Sequence, residues 1–364
     1  MDEKNRIPPL MVAVIKWNHG DGIAEAIYDA LVTLGHCPVY FYFDEPLCEP
    51  ENVDIVFSFA PYGDFLTTPR FLSNIPKNKK PLFVHWDIEG IPNPNTPWLF
   101  QKSIGSILSM LGRLKNSKAP PLQALANVPP LKFLVGKNYR FRLDGDYHYA
   151  YRRGWMDLFF ETSQIYAGVN VRHGLPTVYV PWGTPPKWHA DLKLHRDIDL
   201  LWMGARRSNK RVAIVDRIRD ELIQRNKVVY IADGEENPYI FGNYRTEILN
   251  RSKICLNLLP AWYFNSFAFR FHIAAGNRAM VISEPILDHC PDYVEGEHYI
   301  AAEVDQLIET IVYYLENEKE RSRIADNAYK LVTTQMTFQH SVNAILEKSY
   351  ELICFRRAEK VLAD

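Results

Sequence analysis

Short, mostly apolar runs alternate with helical stretches from Leu10 to Gly90, and the same alternation starts again at Asp197. The first set is LMVAVIKW (10–17), PVYFYF (38–43), VDIVFSFAP (53–61) and PLFVHWDIEG (81–90). Runs of this kind suit strands covered on both faces, which means the interior of a parallel sheet. Between the first two lies IAEAIYDALVTLG (23–35), apolar at helical spacing and stopped by a glycine. The second set is DIDLLWMG (197–204), KVVYIADG (227–234), KICLNLLP (253–260) and AMVI (279–282), with a short edge strand at 299–301. Helices are predicted over 93–119, 209–225, 244–251, 304–316, 318–333 and 338–360, and the proline-rich PPLQALANVPPL (120–131) marks a loop. Strand, helix and strand with short connections predict an α/β fold of two Rossmann-like, doubly wound domains facing a central cleft. The expected bounds are 1–190 and 191–340, joined through 182–196, with 341–364 a C-terminal helix that crosses back to the first domain.

Bulk properties narrow the class. A chain of 364 residues exceeds one ordinary core. Its 42 Lys and Arg against 43 Asp and Glu leave no basic excess for coating nucleic acid, so any anion recognition is local. Cys37, Cys48, Cys255, Cys290 and Cys354 are scattered, without the spacing of a disulfide framework or a zinc site, and fit reduced thiols in a cytosol. The N-terminal apolar run is broken by Lys16 and reads as a buried strand, neither a signal peptide nor a membrane span.

Ligands of open parallel sheets bind at the carboxyl ends of the strands. The loop GARRSNKR (204–211) stands there, directly after a strand and directly before a helix. Gly204, Arg206, Arg207, Lys210 and Arg211 either surround a phosphate at that helix N-terminus or form a solvated basic loop. In RFHIAAGNRAMVISEP (270–285), a helix of small residues turns into an apolar strand, yet carries Arg270, His272, Asn277 and Arg278. Burying such groups unpaired is costly, so either a polar, anionic ligand sits against them or the corner is a tight helix–sheet contact with Arg278 at the surface. Glu284 ends that strand, placed to accept hydrogen bonds from sugar or ribose hydroxyls. In the first half, NHGDG (18–22) is a strand-to-helix loop in which His19 and Gly20 are candidate acceptor contacts. Asp21 is either an acid or base facing the cleft or a helix N-cap. His85 and Asp87 alternate onto one strand face, followed by Glu89, as a candidate general base and acceptor clamp or as a polar loop over Trp86.

DIDLLWMGARRSNKR, KICLNLLP and RFHIAAGNRAMVISEP, with the helices that follow, resemble the GT-B glycosyltransferases. The likeness is to a cytosolic single-chain group that includes spore-maturation-type enzymes with a "glycosyl transferases group 1" C-terminal domain. It covers roughly 197–346. It implies transfer of a sugar from a nucleoside-diphosphate sugar, with UDP or GDP as the nucleotide, to a carbohydrate or other hydroxyl acceptor. Arg207, Lys210, Arg211 and Arg270 then stabilise the departing diphosphate, without a metal or other cofactor. The chain departs from the family at its glutamate pair: His272 stands at the second position and no acid lies near 264–265, so Glu284 is expected to substitute. An epimerase or hydrolase of the same fold, and a non-catalytic nucleotide-sugar-binding protein, are the alternatives. A dinucleotide-binding oxidoreductase fits less well, because neither glycine loop has the GxGxxG spacing.

Overall fold

The computed structural model describes residues 7–16, 22–42, 49–59, 65–88, 92–115, 121, 128–206, 209–259, 263 and 267–363. The chain forms two compact units, Met1–Pro181 with Val342–Asp364, and Trp182–Ser341.

The first unit holds six parallel strands, β1 (Met11–Lys16), β2 (Cys37–Tyr42), β3 (Ile55–Ser58), β4 (Leu82–Asp87), β5 (Leu158–Glu161) and β6 (Thr177–Tyr179). Their order in the sheet is β2-β1-β3-β4-β5-β6, all pairs parallel. The helices are α1 (Ile23–Thr33), α2 (Thr67–Leu72), α3 (Trp98–Lys115), α4 (Pro129–Lys137), α5 (Tyr139–Arg152) and α6 (Gln164–Arg172). In α1, Ala24, Ile27, Ala30 and Leu31 recur at helical spacing and are buried on the sheet. Phe83, Phe159, Phe65 and Tyr147 pack into one core cluster. The helix α5 reaches that core by an unusual route. A Cβ on Gly145 would stand 2.1 Å from the Gly105 carbonyl oxygen, so only glycine lets α5 and α3 approach this closely.

In the second unit five parallel strands stand in the order β11-β10-β9-β7-β8. They are β7 (Ile198–Met203), β8 (Val229–Ala232), β9 (Ser252–Asn257), β10 (Met280–Ser283) and β11 (Ile300–Ala301). The helices are α7 (Asn209–Gln224), α8 (Gly242–Arg251), α9 (Phe267–Ala275), α10 (Leu307–Glu316) and α11 (Glu318–Lys330), and a π-helical turn at Leu331–Gln335 follows. Alternation divides the sheet residues between two cores. Leu201, Cys255 and Val281 pack with Phe271, Ala274 and Val332 on one face. Leu200, Trp202, Ile254, Met280 and Ile282 pack with Ile214, Ile218, Leu307 and Ile311 on the other. Both units are thus doubly wound α/β sheets.

The last helix, α12 (Phe338–Ala363), begins in the second unit, and its residues from Val342 belong to the first. There Arg356 pairs with Asp157, and Arg357 lies 3.7 Å from Asp54. No helix among the described residues is long and apolar enough to cross a membrane.

Candidate functional site

Three strand ends and two helices of the second unit bring charged groups to one edge. The strand β7 ends before Gly204, β9 ends at Asn257, and β10 runs into Ser283 and Glu284. Asn257 pairs in register with Ser283, and its Nδ2 donates to Ser283 Oγ at 2.8 Å. That bond turns the Asn257 carbonyl oxygen toward the guanidinium of Arg270, which donates to it. Arg270 also reaches the Leu258 carbonyl at 3.4 Å, and Arg211 donates to the same carbonyl oxygen at 2.7 Å. Two arginines therefore converge on one backbone oxygen. Among the described residues no carboxylate is paired with Arg270. Burial, and next the charge of Arg211, push the Arg270 pKa down to about 10, so it stays protonated at neutral pH but is strained electrostatically. A Cβ on Gly204 would lie 3.2 Å from the Trp202 ring and 3.6 Å from Arg270 Nη2, so the glycine leaves the guanidinium room.

Lys210 and Arg211 occupy the first turn of α7, which holds no acidic residue. Cations at a helix N-terminus oppose the macrodipole, a cost that a bound anion offsets. Lys210 reaches Glu284 Oε1 at 3.3 Å, but its own side chain is exposed and the pair is easily exchanged. Glu284 Oε2 accepts the Leu259 N–H at 2.7 Å, which fixes the carboxylate at the strand end. The structure thus brings Gly204, Lys210, Arg211, Arg270 and Glu284 together.

It does not bring the other expected donor residues there. Arg206 turns to β8, where it pairs with Asp233 and with Asp216 at 2.8 Å, and Glu235 and Glu236 stand at 3.9 and 3.7 Å. Four carboxylates consume its charge. His272 is fully buried, with Nδ1 2.5 Å from Thr184 Oγ1 and Nε2 2.5 Å from the Tyr293 hydroxyl. Burial lowers its pKa to about 3, so it is a neutral clamp with no ring nitrogen left for a donor. Asn277 and Arg278 lie before β10, at the sheet edge opposite Glu284. Asn277 Nδ2 donates to the carbonyls of Trp188 and Ile273 at 2.9 and 2.8 Å, which ties α9 to the entering chain. Arg278 pairs with Asp191 at 2.9 Å and with Asp326, its guanidinium 4.2 Å from the Tyr329 ring. Polar residues in this corner serve the fold of the second unit. His19, Gly20, Asp21, Glu89 and Arg207 lie outside the described residues.

A second polar cluster ends β4 and β5 in the first unit. His85 and Asp87 are fully buried, with Nε2 4.0 Å from Asp87 Oδ1 and Nδ1 2.9 Å from Ser58 Oγ. Tyr147 donates to Asp87 Oδ1 at 3.2 Å. Burial lowers the His85 pKa to about 3, so the imidazole is neutral. Asp87 stands beside Glu161 in register across β4 and β5. Burial first, and the neighbouring Asp87 second, raise the Glu161 pKa well above the usual carboxylate range. Burial likewise raises Asp144 on α5 to about 7; the Gln101 amide works against this and Asp87 adds to it. Glu161 Oε2, Asp144 Oδ1 and His85 Nε2 are buried and make no hydrogen bond. Burial and the charge of Asp87 therefore favour the protonated form of Glu161. Sequence reasoning missed Glu161, whose one signal is that LFFE ends in an acid as LFVHWD does. Asp144 gave no such signal.

A pH dependence follows from Asp144. Its folded pKa lies above the unfolded one, so the folded chain binds the extra proton, and this contribution is present at low pH and lost as pH rises from about 4 to about 7. Asp144→Asn is expected to melt progressively higher than the wild type as the buffer moves from about pH 5 to about pH 8. A difference that stays constant with pH would place the titration elsewhere.

Among the described residues no group of three His, Cys, Asp or Glu is arranged to hold a metal ion.

Residues 210–347 match the glycosyl transferase-like family model, a segment that contains Lys210, Arg211, Arg270 and Glu284. No curated protein matches the chain. Among solved structures, Anabaena HepE in complex with UDP is similar over 94% of this chain and 100% of its own, with a TM-score of 0.54 and 10% identity. A glycosyltransferase from Rickettsia africae is similar over 95% and 99%, with a TM-score of 0.57 and 10% identity. Sucrose-phosphate synthase from Thermosynechococcus elongatus is similar over 95% and 99%, with a TM-score of 0.54 and 10% identity. The fold is GT-B, and residues 210–347 form a glycosyl transferase-like domain.

Proposed function

We propose that the protein transfers a sugar from a nucleoside-diphosphate sugar to an acceptor hydroxyl, with Lys210, Arg211 and Arg270 holding the diphosphate. The observation that carries this reading is the pair of arginines on the Leu258 carbonyl beside a helix N-terminus, inside the segment that matches the family model. As the glycosidic bond breaks, negative charge grows on the leaving diphosphate, and fixed cations stabilise that state more than the ground state. Side chains of this kind supply the charge that a metal supplies elsewhere, so the reading is metal-independent. Asp87, at the end of β4, is the candidate general base for the acceptor's proton. The bound UDP of the Anabaena relative supports a uridine nucleotide as donor. The reading places the chain with the spore-maturation-type group and in the cytosol.

Thermal shift against UDP, GDP, ADP and TDP tests it. Ligand at 100 times its Kd stabilises by about 2.7 kcal/mol, which a melting curve resolves. Arg211→Ala is expected to weaken binding of the stabilising nucleotide far more than it lowers the melting temperature. Unchanged affinity in that variant would remove the assigned edge from the site.

A further inference from the structure

The helix α3 is inside out. Toward the body of the first unit it turns Gln101, Gly105, Leu108 and Ser109, all buried, and Gly105 meets Gly145 of α5 backbone to backbone. Toward solvent it turns Leu99, Phe100, Ile107 and Met110, exposed by 75, 56, 50 and 47%. Leu99, Ile107 and Met110 fall at i, i+8 and i+11, and Phe100 and Ile107 at i and i+7, which is one stripe of the helix. In an ordinary surface helix those two faces are exchanged. Phe133 on α4 is 69% exposed as well. An apolar stripe of this length on a water-facing helix marks an interaction surface.

Charge says which partner. From Gly90 to Leu143 the sequence contains no Asp or Glu, but eight Lys and Arg, in a chain whose formal net charge is −1. Lys102 is exposed on α3, one turn from the stripe, and the acids of the adjoining α5, Asp144 and Asp146, are buried. An apolar stripe beside Lys102, on a segment whose sequence carries cations and no acid, matches the surface of an anionic bilayer, where the stripe enters the acyl boundary and cations meet the headgroups. A protein partner of ordinary composition would be met by charges of both signs.

We propose that α3 docks this protein on anionic lipid membranes as a peripheral, in-plane helix. The inference is independent of the sugar-transfer reading. Co-sedimentation with phosphatidylcholine vesicles, with and without phosphatidylglycerol, tests it on the full-length chain. Binding is expected to be about tenfold or more tighter with the anionic lipid and to weaken as salt is added. Phe100→Ser with Ile107→Ser is expected to lose the binding while its melting temperature holds, and Lys102→Glu to weaken it. Equal partition onto both vesicle types, no partition onto either, or wild-type binding by the double variant would overturn the proposal. So would a dimer in size-exclusion chromatography that the double variant dissolves, because the stripe would then be covered by a second copy.

Discussion

Arg270→Ala is expected to lower kcat/KM for sugar transfer by about 100- to 1000-fold, the range seen when a fixed donor to a developing anion is removed. The reasoning is electrostatic. Arg270 has a carbonyl and an amide oxygen for partners, and the neighbour that depresses its pKa is another arginine. An ion pair that only stabilised the fold would look like Arg206, enclosed by carboxylates. Alanine relieves the repulsion from Arg211 as it removes the bonds to Asn257 and Leu258, so the two effects offset and the melting temperature is expected to move little. Arg270→Lys keeps the charge and loses the fork, and is expected to recover part of the rate. Steady-state kinetics beside a melting curve separate the two effects. A variant that melts far lower while its kcat/KM is unchanged would make Arg270 a structural residue.

The largest loss of stability is expected at Gly145→Ala. The new Cβ would stand 2.1 Å from the carbonyl oxygen of Gly105 and 2.5 Å from its carbon. Both are backbone atoms, which no rotamer change removes, so α5 must shift bodily from α3. Overpacking of this kind costs about 3 kcal/mol, roughly a 6–12 °C fall in Tm for a domain of this size. The shift also carries Tyr147 away from Asp87. Calorimetry checks it, with Gly136→Ala as the control, since a Cβ there meets nothing within 4 Å. Equal melting of the two variants would mean the helices separate without cost.

Most of both sheets was legible because their strands are continuous apolar runs. The strand β5 was not: LFFE is four residues long and borders Trp155 and Met156, so no boundary stands out. The helix α5, YRFRLDGDYHYAYR, hides for another reason. Its buried positions hold Asp144, Gly145, Asp146 and His148, so the apolar period that announces a helix is absent. At the candidate site, one signal had two causes. Charged residues in an apolar corner pointed equally to Arg270, which meets the carboxyl edge, and to His272 and Asn277, which clamp the incoming chain at Thr184 and Trp188. Sequence position cannot separate these, because a buried hydrogen-bond clamp and a ligand contact need the same residue types. The closeness of His85 and Asp87 follows from strand alternation, whereas the approach of Asp144 depends on α5 packing through glycine.

Titration calorimetry of the best-bound nucleoside diphosphate, set against its parent nucleoside, tests the cationic edge most directly. The account predicts that the diphosphate binds at least about 100-fold tighter than the nucleoside, from two charge-assisted contacts, and that Arg270→Ala closes most of that gap while nucleoside affinity stays the same. Equal affinities in the wild type, or a gap that survives in Arg270→Ala, would contradict it.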